Sequence, residues 1–164
     1  MRRKQPPSGG TPALRALAQA DIAHTVRPYQ HDPRVLSYGL EAADALGVDA
    51  ARVFKTLMAE VDGRLVAAVV PVAQRLDLKA LARVLGGRRA AMADPRVAER
   101  ATGYVVGGIS PIGQKRRHLT VLDTSALDHP TVLVSAGRRG LDVELSPSDL
   151  VALTSATTAP VTSG

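Results

Sequence analysis

The chain has 164 residues, 45% of them hydrophobic, enough for one domain with a sizeable core and too many for wholesale disorder. It contains no cysteine, which excludes disulfides, thiolate metal sites and a cysteine nucleophile; three Tyr, one Phe and no Trp leave too few aromatic platforms for serial base stacking. The formal charge of +6 favours an anionic partner, and between Arg83 and Arg117 eight Lys/Arg stand against two Asp/Glu.

Residues 1–10, basic and rich in Pro and Gly, read as a flexible tail without the apolar segment of a secretory signal. Thr11-Pro12 predicts a helix start, with Leu14, Leu17 and Ala18 on its apolar face. Ile22 to Tyr29 is expected as a strand, and Glu41 to Leu46 as a short helix closed by Gly47. Val53–Val61 and Arg64–Val72 flank Asp62-Gly63, a strong hairpin signal. Asp77 opens a helix with Leu78, Leu81, Ala82 and Leu85 on one face, ending at Gly86-Gly87. Ala90–Ala93 suggests a short strand, and Asp94-Pro95 a helix reaching Thr102. Leu119–Leu122, Thr131–Ser135 and Leu141–Leu145 are expected strands, followed by a helix capped by Ser146-Pro147 that carries Leu150, Val151 and Leu153. Residues 154–164 are expected as a second flexible tail. Interspersed strands and short helices, without repeat or linker, predict a single α/β or α+β domain over 11–153 with a mixed or largely antiparallel sheet. No apolar run approaches the ~20 residues of a membrane span, so no membrane partner and a cytoplasmic location are expected.

Gly103 to Arg117 is the most informative stretch. An apolar run meets Gly107-Gly108, turns through Ser110-Pro111 and ends in Lys115-Arg116-Arg117. Backbone amides in such a loop can face a carbonyl or phosphate oxygen, although a tight connection would use the same residues. The loop matches neither the dinucleotide fingerprint nor a P-loop. The three cations are either phosphate contacts or a solvated surface. Alternation along the strand puts Lys55 on the face of Val53 and Leu57, where its amine must reach an anion or the rim; an exposed edge-strand lysine is the alternative. Ser135 is placed to bind a ligand or to cap its own turn. Asp142, between Leu141 and Val143, faces solvent or needs a cation, for which Lys55 is a candidate. His24, His31, His118 and His129 lack metal-ligand spacing, and nothing assembles a Ser-His-Asp triad.

Five segments in order, Phe54-Lys55-Thr56, Met92 to Pro95, Thr102-Gly103-Tyr104 running through Gly107–Arg116, Val134-Ser135, and Arg138 to Asp142, together resemble the YbaK/EbsC-type aminoacyl-tRNA deacylases. The likeness is greatest to the stand-alone branch that clears cysteine from proline tRNA. It implies an α/β domain whose mixed sheet curls into a partial barrel with surrounding helices. It also implies an editing site between Lys55 and the loop Gly107, Gly108, Ile109, Ser110 and Pro111 as catalytic elements. Tyr29, Tyr38, Thr56, Ser135 and Asp142 are the implied substrate-binding rim, with Tyr38 standing where relatives usually carry Phe. Lys115, Arg116, Arg117, Arg138 and Arg139 would hold tRNA. The implied substrate is the aminoacylated 3′ acceptor end of tRNA, with no cofactor or metal, and prolyl- or cysteinyl-tRNA synthetase is the implied delivering partner. For a cysteinyl ester the substrate's own thiol can act as nucleophile; water is the competing route. An alanine-editing sister branch and a non-catalytic nucleotide- or RNA-binding module are the rival readings.

Overall fold

The Thr11 hydroxyl accepts a hydrogen bond from the Leu14 amide at 3.1 Å, and with Pro12 in the first turn it starts α1 (Pro12–Gln19) as predicted. Ala13, Leu14 and Leu17 form its buried stripe; Ala18, expected there, is exposed, because the stripe turns towards position 13. The computed structural model describes residues 10–163, so the basic tail expected over 1–10 lies, apart from Gly10, outside the described residues.

β1 (Thr25–Pro28) is shorter than the expected strand, and α2 (Tyr38–Leu46) begins before Glu41 and ends at Gly47 with φ 67°. β2 (Phe54–Val61) and β3 (Arg64–Pro71) form the predicted hairpin, with Asp62 at φ 51° and Gly63 at φ 83° supplying the left-handed pair that such a two-residue turn needs. β4 (Arg75–Leu76) leads into α3 (Leu78–Val84), whose first turn Asp77 caps by accepting from the Ala80 amide at 3.1 Å. β5 (Ala90–Met92), α4 (Pro95–Thr102), β6 (Leu119–Asp123), β7 (Val132–Arg138), β8 (Leu141–Leu145) and α5 (Pro147–Thr154) follow the predicted order.

Five strands, in the order β5-β2-β3-β6 and then β9 (Thr157–Ala159), make one sheet; β3-β6 and β6-β9 are parallel and the other pairs antiparallel. β1-β8-β7 make a second, antiparallel sheet, and β10 (Thr162–Ser163) pairs with β4. The α/β class and mixed sheet stand. The two larger sheets meet at a parallel bridge between Val53 and Leu133 without closing, so the partial barrel is not established by the pairing. The end of the chain differs from the flexible tail expected over 154–164. β9 extends the edge of the five-stranded sheet and β10 pairs with β4, Val161 between them is 0% exposed, and the Asp123 carboxylate accepts the Val161 amide at 2.9 Å.

One face of the five-stranded sheet packs Val61, Val66, Val70 and Val121 against Leu81 of α3. Its other face packs Phe54, Met58, Val69 and Leu122 with Val132, Val134 and Val143 of the second sheet, and with Leu17 and Leu150 from helices α1 and α5. Removing these side chains from water is the main favourable contribution to folding. Among the described residues, no helix is long and apolar enough to cross a membrane.

Candidate active site

β5 pairs only with Ala59–Val61, which among the described residues leaves the first half of β2 without a partner on that edge. A cavity of about 410 Å³ opens there, bounded by β2, the start of α2, α4 and the glycine loop. It gathers Lys55, Thr56, Tyr29, Tyr38, Gly107, Ile109, Ser135 and Asp142, drawn from positions more than a hundred residues apart. Gly108, Ser110 and Pro111 do not line it. They form the layer behind: Gly108 lies against the Arg138 backbone, and Ser110 is 0% exposed with its hydroxyl accepting from the Ile112 amide at 3.2 Å.

The loop is fixed from several sides. Glu99 on α4 accepts the Val106 amide at 2.8 Å, while Arg139 donates from Nε to the Val106 carbonyl at 2.9 Å. Gln114 donates to the Ser110 carbonyl at 2.9 Å and pairs through its Oε1 with His118 Nδ1 at 2.7 Å. The Gly108 amide is already bonded to the Val105 carbonyl at 2.8 Å, so it is not free for a ligand. Among the described residues the amides of Gly107 and Ile109 take no backbone or side-chain acceptor, and both residues line the cavity. They are the loop's two backbone N–H groups, on residues that line the cavity, left without an acceptor.

Gly107 sits at φ 88°, and a Cβ there would lie 2.7 Å from the Tyr38 ring. Tyr38 therefore packs directly on the loop backbone, and Arg139 covers the ring with its guanidinium carbon 4.6 Å from the centroid. Arg139, expected as a tRNA contact, thus also braces the pocket wall. Arg138, Lys115, Arg116 and Arg117 are exposed and outside the cavity lining.

Lys55 is half-buried and donates to the Val72 carbonyl at 3.4 Å, a long bond. Burial, and then the Arg75 charge, hold its pKa below the ordinary lysine value. No ion pair joins Lys55 to Asp142 among the described residues, so the pairing considered from sequence is not formed. Asp142 is 5% exposed, and burial pushes its pKa up to about 7, with Arg27 opposing. Burial and the Asp142 charge raise the Tyr29 phenol to about 12, which keeps it protonated and able to donate. The Thr56 hydroxyl is buried in the wall with no hydrogen-bond partner among the described residues, a cost that a ligand atom would offset. Ser135 is already engaged: its hydroxyl donates to the Gly108 carbonyl at 3.0 Å and accepts the Gly137 amide at 3.1 Å across a bulge. It orients the loop, which realises part of the turn-capping alternative.

Sequence reasoning did not single out the apolar wall, which includes Val53, Met58, Val72 and Ala98, nor the exposed rim of Leu36 and Leu40; Met92, which joins that rim, was named only within the Met92–Pro95 segment. The wall residues have ordinary core identities, and only their place beside the unpaired edge of β2 makes them pocket residues. Leu36, 77% exposed, was the one detectable signal: a large apolar side chain in a polar connection.

The sequence profile of the aminoacyl-tRNA editing domain matches residues 33–153. EbsC of Enterococcus faecalis, assigned as a Cys-tRNA(Pro)/Cys-tRNA(Cys) deacylase, is 40% identical over 93% of this chain and 93% of its own. A proline–tRNA ligase of Moorella thermoacetica is 40% identical over 44% of this chain and 13% of its own length. A solved structure described as a trans-editing enzyme for prolyl-tRNA synthetase superposes with a TM-score of 0.83 at 27% identity, covering 93% of this chain and 96% of that one. The profile and the full-length relative lead to one assignment: the chain belongs to the aminoacyl-tRNA editing domain family.

Proposed function

We infer that the chain is a trans-editing aminoacyl-tRNA deacylase that removes cysteine from mischarged Cys-tRNA(Pro). The observation that carries this reading is the half-buried amine of Lys55 sharing one cavity with the unpartnered amides of Gly107 and Ile109. The full-length similarity to EbsC supports the substrate, and the similarity to a stretch of a proline–tRNA ligase supports prolyl-tRNA synthetase as the partner that delivers it.

The acylated 3′ end of the tRNA enters the cavity with its ester carbonyl against the Gly107 and Ile109 amides, where the developing oxyanion is stabilised by fixed dipoles. Lys55 holds the ribose or phosphate of the terminal nucleotide. Thr56 and the Tyr29 phenol bind polar atoms of the aminoacyl group, and the apolar wall shapes the space for a small side chain. The cysteine thiol, with a reference pKa of ~8.5, gains thiolate character near the Lys55 cation. The thiolate sulfur attacks its own ester carbonyl, the new C–S bond closes a cyclic thioester, and the C–O bond to ribose breaks. The proton lost by the thiol returns to the ribose oxygen. Positioning and electrostatics do the work, with no protein nucleophile.

The test is a deacylation panel on one tRNA(Pro) body carrying cysteine, serine or alanine. Selective loss of cysteine is the expected result. Equal cleavage of the serine and alanine esters rules out thiol assistance, and selective cleavage of alanine assigns the chain to the sister activity.

A further inference from the structure

Beyond Lys55 the molecule carries a second hollow of about 650 Å³, lined by Lys55, Val72, Ala73, Gln74, Arg75 and Ser163. Among the described residues its charged linings are Lys55 and Arg75. Neither cation forms an ion pair among the described residues. Arg75 stands on β4, where its backbone is paired with Ser163 of β10, so the last strand of the chain steadies it beside the lysine. Two like charges held near each other repel, and the Lys55 pKa, lowered first by burial, is lowered further by this repulsion from the Arg75 charge. An anion placed between them would relieve it and take charge-assisted hydrogen bonds from both.

Lys55 also borders the editing cavity, so its ammonium stands at the junction of an apolar chamber and a cationic one. A 3′-acylated terminal adenosine has the same division: a small acyl group on one ribose oxygen and an anionic phosphate at the 5′ position. We propose that Arg75, together with Lys55, forms a subsite for the phosphate on the 5′ side of the terminal adenosine, which sets the depth to which the ester enters the neighbouring cavity. The proposal rests on the editing reading above for the identity of the nucleotide, and it makes Arg75 a positioning residue.

The test compares adenosine 5′-monophosphate with adenosine as probes, titrated calorimetrically into the full chain and into the Arg75→Ala and Arg75→Lys variants at fixed salt. The full chain is expected to bind the phosphorylated probe about tenfold more tightly than adenosine. Arg75→Ala should remove that advantage while leaving adenosine affinity unchanged, and Arg75→Lys should keep most of it. Equal affinity for the two probes, no binding of the phosphorylated probe, or an advantage that survives in Arg75→Ala overturns the proposal. Deacylation of Cys-tRNA(Pro), run in parallel, separates the claims. An Arg75-dependent phosphate preference in a chain that cleaves no ester keeps the subsite and removes the editing reading. Cleavage with Arg75-independent probe binding does the reverse.

Discussion

Replacing Gly107 by alanine should damage the site through two separable effects. The residue sits at φ 88°, in the left-handed region, where a Cβ costs about 1–2 kcal/mol. The new Cβ would also lie 2.7 Å from the Tyr38 ring. Ordinary carbon contacts need about 3.5 Å or more, so the ring must retreat by roughly 1 Å. That retreat loosens the stacked Arg139, worth about 0.5–1 kcal/mol at an exposed site. A total of about 1.5–3 kcal/mol is expected in denaturant unfolding. Deacylation of Cys-tRNA(Pro) in single turnover should fall by about 100-fold, because the loop amides and the ring move relative to the ester. In a Tyr38→Ala background the clash is absent and only the backbone cost remains. The two substitutions should therefore couple by about 1 kcal/mol in a double-mutant cycle. A Gly107→Ala variant with unchanged stability and rate refutes the reasoning, as does a penalty that Tyr38→Ala leaves untouched.

Asp142→Asn should flatten part of the pH dependence of stability. With Asp142 raised from 3.8 to about 7 in the folded chain, its contribution is fully present below pH 3.8 and is lost as pH rises towards 7, on the order of 4 kcal/mol. Urea unfolding of both proteins at pH 4 and pH 8 should show the variant gaining at pH 8; no relative gain contradicts the burial argument. Lys55→Met should raise the Tm at neutral pH, because a half-buried cation beside Arg75 is replaced by an apolar chain of similar length. A lowered Tm would show that the amine stabilises the fold. Changing Lys115, Arg116 and Arg117 together to alanine should weaken tRNA binding and reduce the slope of log K against log salt by about 2, at roughly 0.7–0.9 for each phosphate no longer neutralised. An unchanged slope removes these residues from the tRNA surface.

Much of the fold was legible because its signals are local. Thr11, Asp77, Asp94 and Ser146 each cap the helix that follows through a side-chain hydrogen bond to an amide within three residues, so the chemistry that starts the helix is written at its first positions. Asp62-Gly63 fixes the register of the β2–β3 hairpin in the same way. β9 and β10 were not legible. Their threonines carry modest strand preference, and pairing depends on edges offered by β6 and β4, which are far away in sequence. The site divides along the same line. Lys55 and Gly107 stand out as a cation in an apolar strand and a glycine in a rigid turn, and the structure brings both to one cavity. The engagement of the Ser135 hydroxyl with the Gly108 carbonyl depends on the bulge before Arg138. The role of Arg75 depends on how β4 meets β10. Neither follows from spacing along the chain.

The most direct test of the editing centre is single-turnover deacylation of Cys-tRNA(Pro) by the full chain and by Lys55→Ala, with circular dichroism confirming that both are folded. A loss of about 100-fold or more in the variant is the expected result. A folded Lys55→Ala protein that still cleaves the ester at the unsubstituted rate would place the chemistry elsewhere.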